Sequence, residues 1–143
     1  MAVPLTGNAD LGKYQAKTVT PNKSVPYAGL TWTVTDATQQ WSAAGRQADS
    51  GMIYVIVTLK LDATGNNGFN AYYGDYIRLK AGSTTAAPTS DSTVPLSVEA
   101  GQTNATGKCI FQVPQGNTDY TLLLLATPSV TGSQQENIPF QIQ

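Results

Sequence analysis

Residues 101–125 read GQTNATGKCIFQVPQGNTDYTLLLL, and they constrain the fold more than any other stretch. A polar turn leads into an alternating run that stops at Val113-Pro114. A Gln-Gly-Asn-Thr link follows, and a second apolar run returns. Proline has no N–H to give to a ladder, so pairing ends there. Two such runs around a short polar link predict a β-hairpin with an apolar inner face.

The same period of two recurs along the chain. Residues 29–35, GLTWTVT, set Leu30, Trp32 and Val34 against three threonines. Alternation of this kind marks a half-buried strand with those three side chains inward. Residues 52–61, MIYVIVTLKL, are the strongest strand. Ile53, Val55, Val57, Leu59 and Leu61 form an unbroken apolar face, and Met52, Tyr54, Ile56, Thr58 and Lys60 form a mixed one. Such a strand belongs in the middle of a sandwich sheet. Weaker strands are predicted over 13–20 at an edge, 75–80, 94–98 and 138–142, with a further short edge strand within 84–93. Residues 37–51 and 62–74 read as long loops. No helical pattern of ten residues or more is present. The chain is therefore expected to be all-β, an antiparallel immunoglobulin-like β-sandwich of about seven to nine strands. Residues 1–12 lack periodicity and read as a linker or arm. Residues 13–143 read as the sandwich domain.

At 143 residues the chain is about one domain, long enough to bury roughly two-thirds of its unfolded surface without disulfide or metal. Only 12% of residues are charged, about half the usual share, so Thr, Ser, Asn, Gln and Gly must make the surface polar. That balance suits an extracellular or surface-displayed β-protein. The net charge is −1, and Lys13, Lys17 and Lys23 are the densest basic group, which gives no field for nucleic acid. There are no histidines, which excludes imidazole acid/base chemistry and His-ligated metals. The single cysteine, Cys109, sits mid-strand and is expected to be a buried, inert thiol. No apolar run approaches the roughly 20 residues that span a bilayer, so no membrane insertion by this segment is expected. No basic region followed by an apolar run comes after Met1, so no signal peptide is expected within this segment.

The order of features resembles a known family. The strand Leu30-Thr31-Trp32-Thr33-Val34 precedes a variable loop and then the long strand of residues 51–61. Tyr76-Ile77-Arg78-Leu79, a turn at Gly101 and Gly107-Lys108-Cys109-Ile110-Phe111-Gln112-Val113-Pro114 follow. This resembles an uncharacterised extracellular domain of bacterial surface lipoproteins, similar to a small secreted mycobacterial antigen. The resemblance spans residues 25–125. Its features are a glycine before a long apolar strand and a late glycine-to-Phe-x-Val-Pro strand. The family's asparagine near the end of the long strand is replaced here by the run Leu61-Asp62-Ala63-Thr64. The resemblance implies an immunoglobulin-like sandwich at the cell surface, and it carries over no catalytic residue.

The loop after residue 61 holds the best site candidates. Phe69, Tyr72, Tyr73 and Tyr76 lie among Asp62, Asn66, Asn67, Asn70 and Asp75. Aromatic faces cover the C–H surfaces of sugars, while amides and carboxylates bond their hydroxyls. Trp41, in the other long loop, joins this group if both loops lie at one end of the sandwich. The same aromatics also serve to pin a long loop to a sandwich edge, and both roles stay open at this point. The oxygens of Asp62, Asn66, Asn67 and Asp75 are calcium-like ligands, but their spacing does not match an EF-hand loop, and no metal or cofactor is expected. No Gly-x-Ser-x-Gly elbow, phosphate loop or adjacent carboxylate pair is present. The expected function is a non-catalytic cell-surface module that binds or spaces through end loops. Its expected contact residues are Trp41, Phe69, Tyr72, Tyr73 and Asp75, and its expected partner is a glycan or another surface protein. The second reading is a structural subunit of a virion or surface filament.

Overall fold

A computed structural model describes residues 16–65 and 68–143. The expected arm, residues 1–12, lies outside the described residues. The first half of the chain forms β1 (Lys17–Val19), β2 (Lys23–Tyr27), β3 (Leu30–Gln40), β4 (Ser42–Ala43), β5 (Arg46–Gln47), β6 (Met52–Asp62) and β7 (Phe69–Asn70). After a 3-10 turn, Tyr73–Asp75, come β8 (Ile77–Ala81), β9 (Thr84–Ala86), β10 (Ser97–Val98), β11 (Ala105–Pro114), β12 (Asp119–Leu124) and β13 (Glu136–Gln141).

Two antiparallel sheets form a β-sandwich. The first runs β1-β3-β6-β11, with β2 also on β3, and the second runs β13-β12-β8-β9. Their inner faces make the core. Ile53, Val55, Val57, Leu59 and Leu61 are all buried, as their alternation predicts, and so are Leu30, Trp32 and Val34. The register of β3 on β6 shifts between Val34 and Asp36. This bulge at Thr35 keeps Asp36 out of the core and turns Ala37 into it, where it is fully buried. The second sheet contributes Ile77, Leu79, Tyr120, Leu122, Leu124, Ile138 and Phe140.

The predicted hairpin over residues 101–125 does not form. β11 pairs with β6 in the first sheet, whereas β12 pairs with β13 and β8 in the second. The link at 115–118 therefore crosses from one sheet to the other. Pro114 does end the ladder as expected, opposite Met52. Alternation reports which face of a strand is buried; it carries no information on which neighbour the strand pairs with.

Two other readings change. The stretch 37–51 is not a long loop: β3 continues to Gln40, and β4 and β5 form a small ladder. Strand β2 was not anticipated. It returns into β3 through Ala28-Gly29, with φ of 53° and 83°. Ala44-Gly45 joins β4 to β5 the same way, with φ of 52° and 78°. Left-handed turns of two residues match the twist of a hairpin, but alanine is an unusual first residue for one and gives little signal.

Four rings pack at one end of the core. Trp32 meets Tyr27, Phe69 and Tyr76 edge-on, with centroids 5.5, 5.2 and 5.6 Å away. The Trp32 indole N–H donates to the Tyr27 carbonyl at 2.9 Å, and the Tyr27 hydroxyl donates to the Leu125 carbonyl at 2.8 Å. Tyr76 is fully buried, yet its hydroxyl has no hydrogen-bond partner. A buried orphan hydroxyl costs free energy that a phenyl ring does not. Tyr76→Phe is therefore expected to stabilise the fold by about 1 kcal/mol. The urea midpoint should rise with the slope unchanged. A lower midpoint would show that the hydroxyl is satisfied.

Candidate functional site

The aromatic loop is held by a short ladder and a turn. β7 pairs with β10, Phe69 opposite Val98 and Asn70 opposite Ser97. The Ala71 N–H then donates to the Leu96 carbonyl at 3.0 Å. Tyr72 precedes the 3-10 turn, and its carbonyl accepts the Asp75 N–H at 2.9 Å. A β-carbon at Gly74 would overlap the Tyr72 ring, so the ring lies directly over this glycine. One guanidinium nitrogen of Arg78 donates to the carbonyls of Gly74 and Ile77, both at 2.7 Å.

These constraints sort the five candidate residues. Phe69 is buried and belongs to the four-ring core cluster. Tyr73 is buried as well. Its hydroxyl points to the Ser90 carbonyl at 3.5 Å, and burial, then the neighbouring Tyr72 phenol, raises its pKa. Tyr72 is 50% exposed, with its ring centroid 4.6 Å from that of Tyr73. Asp75 is exposed in the same turn. Leu96, which the sequence did not single out, is 55% exposed. Tyr72 and Leu96 are thus two large apolar side chains at the surface, on segments joined by the β7–β10 ladder and the Ala71–Leu96 hydrogen bond. Their loops lack a regular period, so no sequence signal separates Tyr72, which stays out, from Phe69 and Tyr73, which sink.

Trp41 does not join this group. It follows Gln40, which lies opposite Tyr54, whereas the aromatic loop follows Asp62, which lies opposite Thr31. The two positions are at opposite ends of β6, about 26 Å apart at the usual rise of a strand. Trp41 packs on the outer face of the first sheet, against a cluster of Ala43, Ala48, Tyr54 and Ile110 under the β4–β5 ladder.

Asp62 accepts the Thr64 N–H at 3.0 Å, closing its own turn. Asn66 and Asn67 lie outside the described residues. Among the described residues, no three of His, Cys, Asp or Glu gather as a metal site. Cys109 is fully buried; burial pushes its thiol up to about 12, against a smaller opposing effect of the Ser92 hydroxyl. A protonated, enclosed thiol is not a nucleophile.

Two open clefts lie on the β1–β13 side of the sandwich. One, about 470 Å³, opens over the stacked rings of Tyr120 and Phe140 and is rimmed by Lys23, Asp119 and Gln141. The other, about 390 Å³, lies between Lys17, Gln39, Ile53 and Ile142. The polar rim of the first is already bonded within the chain. Lys23 Nζ donates to the Pro139 carbonyl at 2.7 Å, and Gln141 Nε2 donates to an Asp119 carboxylate oxygen at 2.6 Å. These walls come from elements far apart in the chain, so no local sequence signal marks them. No helix among the described residues is long and apolar enough to cross a membrane.

No family model matches the chain, and no curated protein matches its sequence. Two solved structures share its architecture. A functionally unknown protein from Listeria monocytogenes superposes with a TM-score of 0.57 at 15% identity, over 91% of this chain and 90% of the other. A putative lipoprotein (ycdA) from Bacillus subtilis superposes with a TM-score of 0.61 at 16% identity, over 82% of this chain. The matched region is 38% of the Bacillus chain, so the sandwich corresponds to one part of that larger protein. At these identities the likeness is one of fold: this chain has the β-sandwich that both proteins contain.

Proposed function

We propose that this chain is a non-catalytic binding module displayed at the bacterial cell surface, and that it contacts a surface glycan through the face around Tyr72. One observation carries the reading: Tyr72, half exposed, is fixed over Gly74 with the exposed Leu96 on the adjoining segment. A rigid, solvent-facing phenol ring offers large contact area with little ordering cost, and a pyranose can stack its C–H face on it. Asp75, exposed in the same turn, supplies a carboxylate for sugar hydroxyls. The cell-surface location is supported by the fold shared with the Bacillus protein and by the low charge of the chain.

The test is a thermal-shift series with cell-wall glycan fragments and simple sugars on the wild type, Tyr72→Ala and Trp41→Ala. A ligand at about 100 times its Kd adds roughly 2.7 kcal/mol, which is several degrees for a domain of this size. The expected result is a shift that Tyr72→Ala abolishes and Trp41→Ala retains. Loss through Trp41 alone would move the site to the outer face of the first sheet. No shift with any saccharide would overturn the glycan reading and favour a protein partner at the same face.

A further inference from the structure

The free edge of β11 is closed by something other than a strand. β11 ends the first sheet, with β6 on one side only. On its other side, the backbone groups of Lys108 and Ile110 point outward, and residues 89–94 satisfy all four of them. The Lys108 N–H donates to Thr93 Oγ1 at 3.0 Å, and the Lys108 carbonyl accepts the Thr93 N–H at 2.7 Å. The Ile110 N–H donates to Ser92 Oγ at 2.9 Å, and the Ile110 carbonyl accepts the Thr89 N–H at 2.7 Å. Both acceptors are side-chain hydroxyls, so the segment imitates the hydrogen bonds of a strand without being one.

The strap is anchored in two further ways. Val94 is buried in the core. The chain crosses so close to Gly107 that a β-carbon there would lie 2.5 Å from the Thr93 oxygen and 2.7 Å from the Val94 α-carbon. An unpaired edge with an apolar inner face is a template for another strand, and native sheets block such edges. Other edges carry recognisable blocks: Pro26 in β2, Pro139 in β13, and three-residue lengths in β1 and β9. The long strand β11 has proline only at its end, Pro114.

We propose that residues 89–94 are an edge guard, whose removal lets β11 pair antiparallel with β11 of a second copy of this chain. The strand is its own complement. A two-fold pairing centred on Cys109 sets Lys108 opposite Ile110 of the other copy, so outward groups meet outward groups and no two lysines face each other. That register also brings the two Cys109 residues opposite each other.

The test compares the wild type with Ser92→Ala/Thr93→Val, which removes both hydroxyl acceptors, and with the milder Thr93→Val in case the double variant does not fold. Hydrogen exchange at the Lys108 amide, measured at a dilution where each variant is monomeric, should quicken at least about tenfold in both variants, and at Ile110 in the double variant. Exchange at Cys109 and Phe111, which face β6, should hold. Light scattering should show a wild-type monomer and a variant dimer that grows with concentration. Unchanged exchange at Lys108 in the dilute, monomeric variants overturns the proposal. So does fast exchange in a variant that stays monomeric at high concentration, or a wild type that dimerises as readily as the variants.

Discussion

Trp32→Ala is expected to cost about 3–5 kcal/mol, the largest loss of any single side chain in this fold. Trp32 is fully buried and touches three rings at centroid distances of 5.2–5.6 Å. Truncation removes the apolar area of the indole and leaves a cavity whose walls belong to both layers. Tyr27 comes from β2, Phe69 from β7, and Tyr76 from the turn that opens the second sheet. Because these walls are tied to different elements, they cannot all collapse inward, which puts the cost toward the upper end of the range. The Tyr27 carbonyl also loses its indole donor. Domains of this size have about 5–15 kcal/mol in total, so the variant should be folded but marginal, with a Tm lower by roughly 10–20 °C. Trp41→Ala is the comparison, since it removes an equal side chain from the outer face. Its loss should be well under half as large, because Trp41 is only partly buried there. Denaturant unfolding of the two variants measures both. Equal losses, or a Trp32→Ala loss near 1 kcal/mol, would sink the claim that the four-ring cluster organises the core.

How far the fold was legible follows from what alternation encodes. In β3 and β6, the period of two marked the inward positions correctly, because a half-buried strand must place apolar residues at every second site. It stopped being informative at Thr35. There one extra residue moves the inward set from Leu30, Trp32 and Val34 to Ala37, and Thr35 itself looks like any other threonine. Partner choice was hidden for a similar reason. β11 and β12 are neighbours in sequence and alike in pattern, yet the nearest ladder to β11 is β6, more than forty residues earlier. The Pro114-Gln115-Gly116-Asn117 link carries turn residues that serve a crossover as well as a hairpin. At the candidate site, the composition of residues 69–76 supplied the aromatics, and the structure sends Phe69 and Tyr76 into the core ring cluster while Tyr72 stays at the surface beside Tyr73. Which ring remains outside depends on Gly74 admitting the Tyr72 ring and on Trp32 receiving Phe69. Both are contacts across the fold that local sequence does not specify. The strap over β11 was equally invisible, since Ser92 and Thr93 sit in a polar stretch that reads as a loop.

The fold is also expected to fail in alkali, and in two separable stages. Burial pushes the Cys109 thiol from its ordinary value of 9.0 up to about 12. It pushes Tyr27 from 10.0 up to about 12, lowered slightly by Ser133, and raises Tyr76 and Tyr120 as well. All four are acids whose neutral form the folded state prefers. Below about pH 8 both states keep these protons, so the groups make no difference to stability. Above the ordinary value of each group, the unfolded chain releases a proton that the folded chain retains. Stability then falls by up to about 1.4 kcal/mol per pH unit for each group, until the folded group itself ionises. The thiol acts alone between about pH 8.5 and 10, and the tyrosines add their slopes above pH 10. Urea unfolding at half-unit steps from pH 7 to 11.5 should therefore give a flat line, a shallow decline and then a steep one. The part of the tyrosinate absorbance that comes from the buried phenols should rise in one cooperative step with the loss of β-structure, because those phenols titrate when the sandwich opens. Cys109→Ala separates the stages: it should remove the decline below pH 10 and leave the steep one in place. Stability unchanged from pH 8 to 11 would mean that water reaches these groups in the folded state. The same burial that denies Cys109 a role as nucleophile would then be in question, and with it the reading of the strap as a closed guard over β11.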